Sequence, residues 1–251
     1  MKKILLPIFL LILFSCSSKK YSDLNGNVES LQEKDYEASE KFGEPIKGDL
    51  KNVNSYTFNE KGNILKFVIY DSDGDKYLET EYQYKNGKEF LLTSTKKKFD
   101  YSINRYKDIE EKQELVSDEK SQSIWSVSSI DKGETNVDTI IIKFDDKHNP
   151  QTRTTKKHDG TQEINYYAYD KNGRMTESKW LMNGKDIQQW EKYEYKENLI
   201  VKKNILYMYG TKKDDSIIFK YKTDNHSNWI ERITYENGEA TGITERIIKY
   251  W

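Results

Sequence analysis

Cysteine and histidine are scarce in this sequence, and their scarcity limits the chemistry that the chain can perform. One cysteine and three histidines occur among its 251 residues. A lone cysteine excludes an intramolecular disulfide, so packing and backbone pairing must stabilise the fold. The sequence also lacks the His-Glu-x-x-His, Cys-x-x-Cys and Gly-x-Ser-x-Gly motifs and any phosphate-binding glycine-rich loop. We therefore expect a protein that is not an enzyme, with no catalytic residues, no cofactor and no metal.

An excess of charge of one sign is also lacking. The chain has 41 Lys and Arg against 42 Asp and Glu, for a formal net charge of −1. A nucleic-acid-binding protein would carry a clustered excess of Lys and Arg. The basic run Lys96-Lys97-Lys98 is typical of a solvated strand edge. The sequence therefore predicts no nucleic-acid partner.

Long hydrophobic runs are absent except near the N-terminus, where Lys2 and Lys3 precede the apolar stretch Ile4–Phe14. This stretch is far shorter than the roughly 20 residues that a transmembrane helix needs. A basic start, a short apolar stretch and small residues before Cys16 are typical of a secretory signal peptide. We interpret residues 1–15 as a signal peptide, with an ordinary apolar leader and a chance cysteine as the alternative.

Leu13-Phe14-Ser15-Cys16 resembles the bacterial lipobox, in which the cysteine is lipidated and becomes the first residue of the mature protein. The resemblance implies lipidation at Cys16 and attachment to a membrane through its acyl chains. Ser17-Ser18-Lys19-Lys20 follows, without the aspartate of inner-membrane retention or the acidic cluster of surface export. We therefore expect an outer-membrane lipoprotein of the cell envelope, on the periplasmic face. Residues 16–52 would be a lipidated N-terminus, a linker and an irregular first strand.

The composition indicates a folded β protein with a thin core. Charged residues make up 33% of the chain and hydrophobic residues 35%, yet 13% are aromatic and 19 are tyrosine. Disordered chains of this polarity are poor in aromatic residues. Tyr, Ile, Thr and Trp favour pleated, half-buried surfaces.

Triplets of the form aromatic-x-aromatic recur along the chain. They are Tyr56-Thr57-Phe58, Tyr82-Gln83-Tyr84, Tyr167-Ala168-Tyr169, Tyr193-Glu194-Tyr195 and Phe219-Lys220-Tyr221. The intervals from residue 56 to 82, from 167 to 193 and from 193 to 219 are each 26 residues. Residues rich in Gly, Asn and Asp follow the triplets, and Asn183-Gly184 and Asn237-Gly238 indicate hairpin turns between them. Each repeat is therefore predicted to be two strands and two turns.

Neither face of the predicted strands is cleanly apolar. In the segment 229–235, Trp229, Ile233 and Tyr235 share one side with Glu231. A barrel or sandwich would place Val, Ile, Leu and Phe on nearly all of one face, whereas mixed faces suit a sheet that is wet on much of both sides. We predict an all-β fold, a long antiparallel meander of two-strand repeats with about 14 strands in a twisted or partly rolled open sheet. The β-hairpin repeat domain would cover residues 53–251, with diverged units at 99–140.

The run Tyr169-Asp170-Lys171-Asn172-Gly173-Arg174-Met175-Thr176 closely resembles the tyrosine–aspartate repeat (YD or RHS-type repeat) of bacterial surface proteins and polymorphic toxins. Asp170 and Gly173 fall on the turn positions of that repeat, whereas three other units carry Lys after the tyrosine. The pattern as a whole resembles the hairpin-repeat lipoproteins of some Gram-negative bacteria. The resemblance implies an architecture and says nothing of an activity.

Asp71-Ser72-Asp73-Gly74-Asp75 is an acidic run that invites comparison with a calcium loop. An EF-hand loop needs Gly at position 6 and Glu at position 12, and Lys76 and Tyr82 stand there. An Asp-Gly hairpin turn explains the run without a metal. His148 and His226 lie in equivalent predicted turns, where we expect solvated side chains.

Aromatic side chains are the candidates for binding. Trp180, Trp190, Trp229, Tyr193 and Tyr195 form a candidate binding surface, on which sugar rings could stack or a protein partner could be anchored. The alternative is that they fill the concave side of a curled sheet. We expect a lipid-anchored cell-envelope protein whose β-repeat surface binds another macromolecule, an unknown envelope protein or a glycan, without catalysis. The other hypotheses are a carbohydrate-binding or carbohydrate-processing lipoprotein and a carrier of a lipophilic ligand, which the low apolar content disfavours.

Overall fold

Sixteen β-strands make up most of the part of the chain that the structure describes. The structure is a computed structural model and describes residues 24–85, 88–100, 105–131, 134–208 and 213–251. The predicted signal peptide and the predicted lipidation at Cys16 lie outside the described residues. The strands are β1 (Val28–Lys41), β2 (Glu44–Phe58), β3 (Ile64–Asp71), β4 (Lys76–Lys85), β5 (Lys88–Asp100), β6 (Arg105–Glu119), β7 (Gln122–Asp131), β8 (Glu134–Phe144), β9 (Pro150–Lys156), β10 (Gln162–Tyr169), β11 (Met175–Met182), β12 (Asp186–Lys196), β13 (Leu199–Tyr207), β14 (Lys213–Thr223), β15 (Trp229–Glu236) and β16 (Glu239–Tyr250). Within those ranges there is no helix of the length and apolarity that a bilayer span requires.

The strands form one closed antiparallel barrel, in which each strand pairs with its neighbours in sequence and β1 pairs with β16. At this seam Leu31 lies opposite Ile248, and Glu33 lies opposite Arg246. The chain is all-β, as the sequence indicates, but the prediction of a twisted or partly rolled open sheet is wrong. Closure pairs the backbone N–H and C=O groups of the first and last strands, which an open meander would leave as exposed edges.

The mixed strand faces that suggested an open sheet have a local cause. A register shift between Lys222 and Thr223 interrupts the pairing of β14 with β15, so Trp229 and Glu231 lie on different sides of the barrel wall. Trp229 is buried against Arg246 on the inner side, whereas Glu231 forms an ion pair with Lys222 on the outer side. Strict alternation across such a bulge assigns residues to the wrong face.

The YD or RHS-type recognition is also wrong, because the fold is a closed barrel of sixteen strands. The motif that suggested it is a turn. In the turn between β10 and β11, Asp170 Oδ1 accepts hydrogen bonds from the backbone N–H groups of Asn172 (2.8 Å) and Arg174 (3.0 Å). Asp145 and Asp224 accept the same two bonds in their own turns. This turn chemistry depends on a few local residues and indicates no particular family.

Alternate turns of the meander lie at the same end of the barrel, which defines two rims. We call the end where the chain enters β1 and leaves β16 the entry rim, and the opposite end the distal rim. At the entry rim, three triplet tyrosines donate their hydroxyls to backbone carbonyls at the start of the preceding strand. These bonds join Tyr84 to Ile64 (2.7 Å), Tyr195 to Met175 (2.8 Å) and Tyr221 to Ile200 (2.8 Å). In these three hairpins, the second aromatic residue of the triplet therefore fastens one strand to the next.

The barrel interior has an apolar side and a polar side. A contiguous buried cluster occupies the inner face of the first eight strands, and Leu31, Phe67 and Leu92 are its most buried members. Aromatic rings stack within it, as between Tyr56 and Phe67, whose centroids lie 4.6 Å apart. Most of the buried charged and amide side chains lie on the remaining inner face and at the seam. This division places most of the apolar core on one half of the barrel.

The barrel begins at Val28. Residues 28–52, which the sequence assigned to a linker and an irregular first strand, form β1 and most of β2. The acidic segment Ile109–Glu119 lies within β6. The strands of the diverged units, β5 to β8, therefore pair in the same antiparallel order as the regular ones.

Candidate functional site

The register of the strands decides which candidate residues lie together. Lys179 lies opposite Trp190, and Ser178 lies opposite Glu191, so these two pairs face opposite sides of the wall. Burial of Ser178 and Glu191 identifies their side as the inner one. Trp180, two residues after Ser178, lies on the same inner face.

Trp229 lies beneath two guanidinium groups inside the barrel. The Cζ atom of Arg246 is 3.3 Å from the centroid of the Trp229 ring, and that of Arg232 is 5.1 Å away. Arg246 donates from Nε and Nη2 to Glu33 Oε1, at 2.8 and 2.7 Å. The two side chains of this ion pair are 2% and 10% exposed. Its geometry neutralises both charges, and its position on β16 and β1 fastens the closure of the barrel.

Tyr193 belongs to a second inner cluster, centred on the buried carboxylate of Glu191. The Tyr193 hydroxyl donates to Glu191 Oε2, and Gln189 Nε2 donates to Oε1 at 2.7 Å. Ser178 Oγ and Lys203 Nζ each lie 3.4 Å from the carboxylate. Burial and the neighbouring carboxylate raise the pKa of the Tyr193 phenol. Four polar groups thus hold the carboxyl group of Glu191 in place, which stabilises the wall.

The remaining candidates are separated by the wall. Tyr195 is held at the entry rim, where its ring lies 4.9 Å from the guanidinium of Arg174. Trp190 is on the outer face, between Lys179 Nζ at 4.6 Å and Lys192 Nζ at 4.5 Å. The structure therefore does not bring the five predicted binding residues onto one surface. Their role in binding stays a prediction.

Metal binding finds no support among the described residues, where no group of three or more His, Cys, Asp or Glu side chains could hold an ion. The carboxylate of Asp71 accepts bonds from the backbone N–H groups of Asp73 (3.1 Å) and Asp75 (2.8 Å). This is the hairpin turn predicted for that run. The imidazole of His148 stacks on Phe144, with ring centroids 4.3 Å apart.

The outer wall carries charge across much of its circumference. Lys66 on β3 bridges Glu79 and Glu81 on β4, at 3.0 and 3.4 Å. A similar ion pair joins Lys202 on β13 to Glu194 on β12. A lipid-facing barrel wall has an apolar band about 25 Å tall, and a Lys at its midplane costs roughly 2–4 kcal/mol. The outer wall of this barrel is therefore built for contact with polar surroundings over these strands.

One part of the outer wall differs from the rest. Cross-strand neighbours form a continuous row over six strands, from β7 to β12. The row consists of Ile124, Ile141, Thr154, Ile164, Leu181 and Ile187. Ile130 and Val137, two exposed residues on β7 and β8, lie nearer the distal rim on the same face. We call these eight residues the aliphatic row.

Sequence reasoning missed the aliphatic row because its members look unremarkable one at a time. The outward positions of β7 are Gln122, Ile124, Ser126, Ser128 and Ile130, with no charge among them. A search for strands without charged residues on one face would have found β7 and β10. It would not have shown that these strands are joined through β8 and β9, since that depends on register.

No protein-family model and no curated protein matches this chain. Among solved structures, a porin-like protein from Bacteroides uniformis ATCC 8492 is similar at 9% sequence identity, with 90% of this chain and 99% of that chain covered and a TM-score of 0.39. A porin-like protein from Bacteroides vulgatus ATCC 8482 is similar at 9% identity, with 89% and 98% covered and a TM-score of 0.42. Both TM-scores are low, so these likenesses carry no argument about the function of this chain.

Proposed function

We propose that this chain is a lipid-anchored protein of the cell envelope that binds another protein through the outer wall of its barrel, without catalysis. The observation that supports the proposal is the aliphatic row on β7–β12, in a wall that elsewhere carries paired Lys and Glu side chains. Exposed apolar patches with a polar surround are typical of protein–protein contact sites. Cys16 supplies the anchor, and the leader directs the chain to the periplasmic face of the outer membrane.

A protein partner fits the aliphatic row better than a glycan does. Sugar rings bind to exposed aromatic faces flanked by hydrogen-bonding groups, and the row consists of Ile, Leu, Val and Thr. Trp190 on the outer wall lies between two lysines, and Trp180 and Trp229 lie inside. A partner with an uncharged, flat surface of its own would match the row without leaving a charge unpaired.

The extent of the row is suited to such a contact. Six strands at a spacing of about 4.8 Å give a width of roughly 25 Å. Stable interfaces bury about 800 Å² on each partner. Rows of outward Ser and Thr beside the aliphatic side chains extend the uncharged area towards that size.

Capture from envelope extract tests the proposal. The bait is the chain from residue 16 with Cys16→Ser, which retains all sixteen strands. We expect it to capture a defined envelope protein, and the variant Ile141→Glu, Ile164→Glu to lose that protein. The matched control is Ile247→Glu, which adds a charge on the outer face of β16, where Ile247 is 56% exposed, and should capture as the bait does. The purified partner must then bind the bait directly, at least tenfold more tightly than it binds the row variant.

Equal capture by the row variant and the control would contradict the proposal. Binding of a defined glycan by the bait, lost on Trp180→Ala, Trp190→Ala, would support the carbohydrate alternative instead. The anchor is tested separately in cells. Cys16→Ser should abolish incorporation of radiolabelled palmitate and release the protein from the membrane fraction.

A further inference from the structure

The outer face of the four neighbouring strands β7–β10 carries charge of one sign. Among the outward positions that the structure describes on these strands, the charged residues are Lys143 on β8 and Lys156 on β9. Both side chains are exposed. The other outward side chains are aliphatic, hydroxyl, amide or aromatic. The two lysines therefore stand on a face to which these strands contribute no acid.

The residues directly opposite the two lysines on the neighbouring strands are uncharged. They are Gln122 and Thr152 for Lys143, and Thr139 and Gln162 for Lys156. Opposite charges stabilise a sheet best when their residues lie directly across from each other. Neither lysine is thus placed to be neutralised by a cross-strand neighbour.

The strands on either side of this face do pair their charges. On β6, Lys112 Nζ lies 3.1 Å from Glu114 Oε2. On β11, Lys179 Nζ lies 2.7 Å from Glu177 Oε1. Pairing of Lys with Glu therefore reaches both borders of the face and stops there.

The acids in the turns that follow the two lysines are engaged within those turns. Asp145 Oδ1, two residues after Lys143, accepts the backbone N–H groups of Lys147 (2.9 Å) and Asn149 (2.7 Å). In the turn after Lys156, Asp159 Oδ1 accepts the N–H and the hydroxyl of Thr161, at 2.8 and 2.7 Å. Bonds of this kind hold both carboxylates in their turns.

The two lysines lie on opposite sides of the aliphatic row, at its centre. Ile141 and Thr154, which belong to the row, are directly opposite each other on β8 and β9. Lys143 lies two residues from Ile141 towards the entry rim, and Lys156 lies two residues from Thr154 towards the distal rim. At about 3.3 Å per residue and about 4.8 Å between strands, their Cα atoms are about 14 Å apart. A cation thus stands at each edge of the apolar strip.

We propose that the partner of the aliphatic row is an acidic protein surface, an apolar strip with carboxylates along both edges. This inference rests on the proposed function and names the chemistry of the partner. Carboxylates beyond the strip would pair with Lys143 and Lys156 in the complex, whereas cations there would be repelled. Exposed charges at the rim of an interface mainly set the rate of association and the choice of partner.

Zero-length cross-linking tests the proposal, because a carbodiimide joins a carboxylate to a lysine amine that touches it. The bait, the chain from residue 16 with Cys16→Ser, is treated in envelope extract and purified under denaturing conditions. We expect Lys143 and Lys156 to be joined to Asp or Glu side chains of one envelope protein, identified from the linked peptides by mass spectrometry. Lys143→Arg, Lys156→Arg should capture the same protein without these links, since Arg keeps the charge and forms no such amide.

Charge reversal measures the contribution to binding. Lys143→Glu, Lys156→Glu should bind the purified protein about tenfold more weakly than the bait or worse, mostly through slower association. The matched control is Lys222→Glu, Lys249→Glu, which changes the net charge equally at outer-wall lysines that are 68% and 67% exposed, and should bind as the bait does. Raising the salt from about 50 mM to about 300 mM should weaken the bait more than the reversed variant.

The row variant, Ile141→Glu, Ile164→Glu, separates failure of this inference from failure of the proposed function. If the row variant loses the protein and Lys143→Glu, Lys156→Glu keeps it with unchanged affinity, the row binds a protein that is not acidic at these edges. If all variants capture alike, or the bait captures nothing, both proposals fail. Binding of the bait to vesicles of phosphatidylcholine with phosphatidylglycerol, lost on lysine reversal and without a linked protein, would assign the lysines to a lipid surface instead.

Discussion

Arg246 joins three features of the barrel interior in one residue. It neutralises Glu33, covers the face of Trp229, and lies on the strand that closes the barrel onto β1. Two charges removed from water are stabilised only while both remain. Removing Arg246 alone should therefore cost more stability than removing Arg246 together with Glu33.

Arg246→Met should lower the free energy of unfolding by about 3–5 kcal/mol, because it leaves the Glu33 carboxylate buried without its cation. The double variant Glu33→Leu, Arg246→Met should recover much of that loss. Urea denaturation followed by tryptophan fluorescence measures both. Lys66→Met on the outer wall is the control and should cost less than about 1 kcal/mol. Equal instability of single and double variants would contradict this account of the pair.

Glu89 should make the stability of the folded protein depend on pH. Burial raises the pKa of its carboxyl from 4.5 to about 7. The folded state therefore binds this proton more tightly than the unfolded state, so the contribution of Glu89 to stability is greatest below pH 4.5 and is lost as the pH rises to about 7. We expect a loss on the order of 3 kcal/mol across this window.

Urea midpoints measured at steps of pH test the prediction. Glu89→Gln should flatten the dependence between about pH 5 and pH 8 and be the more stable protein at the upper end. Glu79→Gln is the matched control. Hydrogen bonds from Lys76 and Lys66 lower the pKa of Glu79, so its removal should leave the slope in this window unchanged. A Glu89→Gln variant with the parental slope would refute the assignment.

At the scale of the element, turns were the part of the structure most open to prediction. Asn183-Gly184, Asn237-Gly238 and the Asp170 turn all form hairpins where the sequence placed them, since turn chemistry depends on residues within a few positions of each other. It was harder to predict on which side of the barrel wall each side chain lies. Trp180 and Trp190 were assigned to one surface, yet Trp180 lies opposite Gln189, the residue before Trp190, so the two rings lie on opposite faces.

The aspartates of two turns, Asp224 and Asp71, should differ in how much they stabilise the folded protein. Asp224 Oδ1 accepts two backbone N–H bonds, and Oδ2 accepts a bond from the Tyr250 hydroxyl at 2.7 Å. Asp71 accepts two backbone bonds in an exposed turn at the distal rim. We expect Asp224→Ala to lower the free energy of unfolding by about 2 kcal/mol, and Asp71→Ala by about 1 kcal/mol or less. Thermal melts would compare them, and the reverse order would argue against a role for Tyr250.

At the scale of the whole molecule, closure of the barrel was the feature that the sequence could not reveal. Glu33 and Arg246 lie 213 positions apart, and no local pattern connects them. Each looks like a misplaced charge on an otherwise half-apolar strand face until the seam brings them together. The mixed faces have two causes: bulges that move residues such as Glu231 to the other side of the wall, and a barrel interior in which polar side chains bond one another.

Closure can be tested directly with a disulfide across the seam. Gln32 lies opposite Ile247, and both side chains point outward. In the Cys16→Ser chain, Gln32→Cys, Ile247→Cys should therefore form a disulfide on mild oxidation, seen as faster migration on a non-reducing gel. An open sheet would keep these residues at its two far edges. The control Gln32→Cys, Lys192→Cys places the second cysteine on the outer face of β12 and should stay reduced. Because the bond links the first strand to the last, it should also raise the free energy of unfolding by about 2–4 kcal/mol. Failure of the disulfide to form would contradict closure of the barrel.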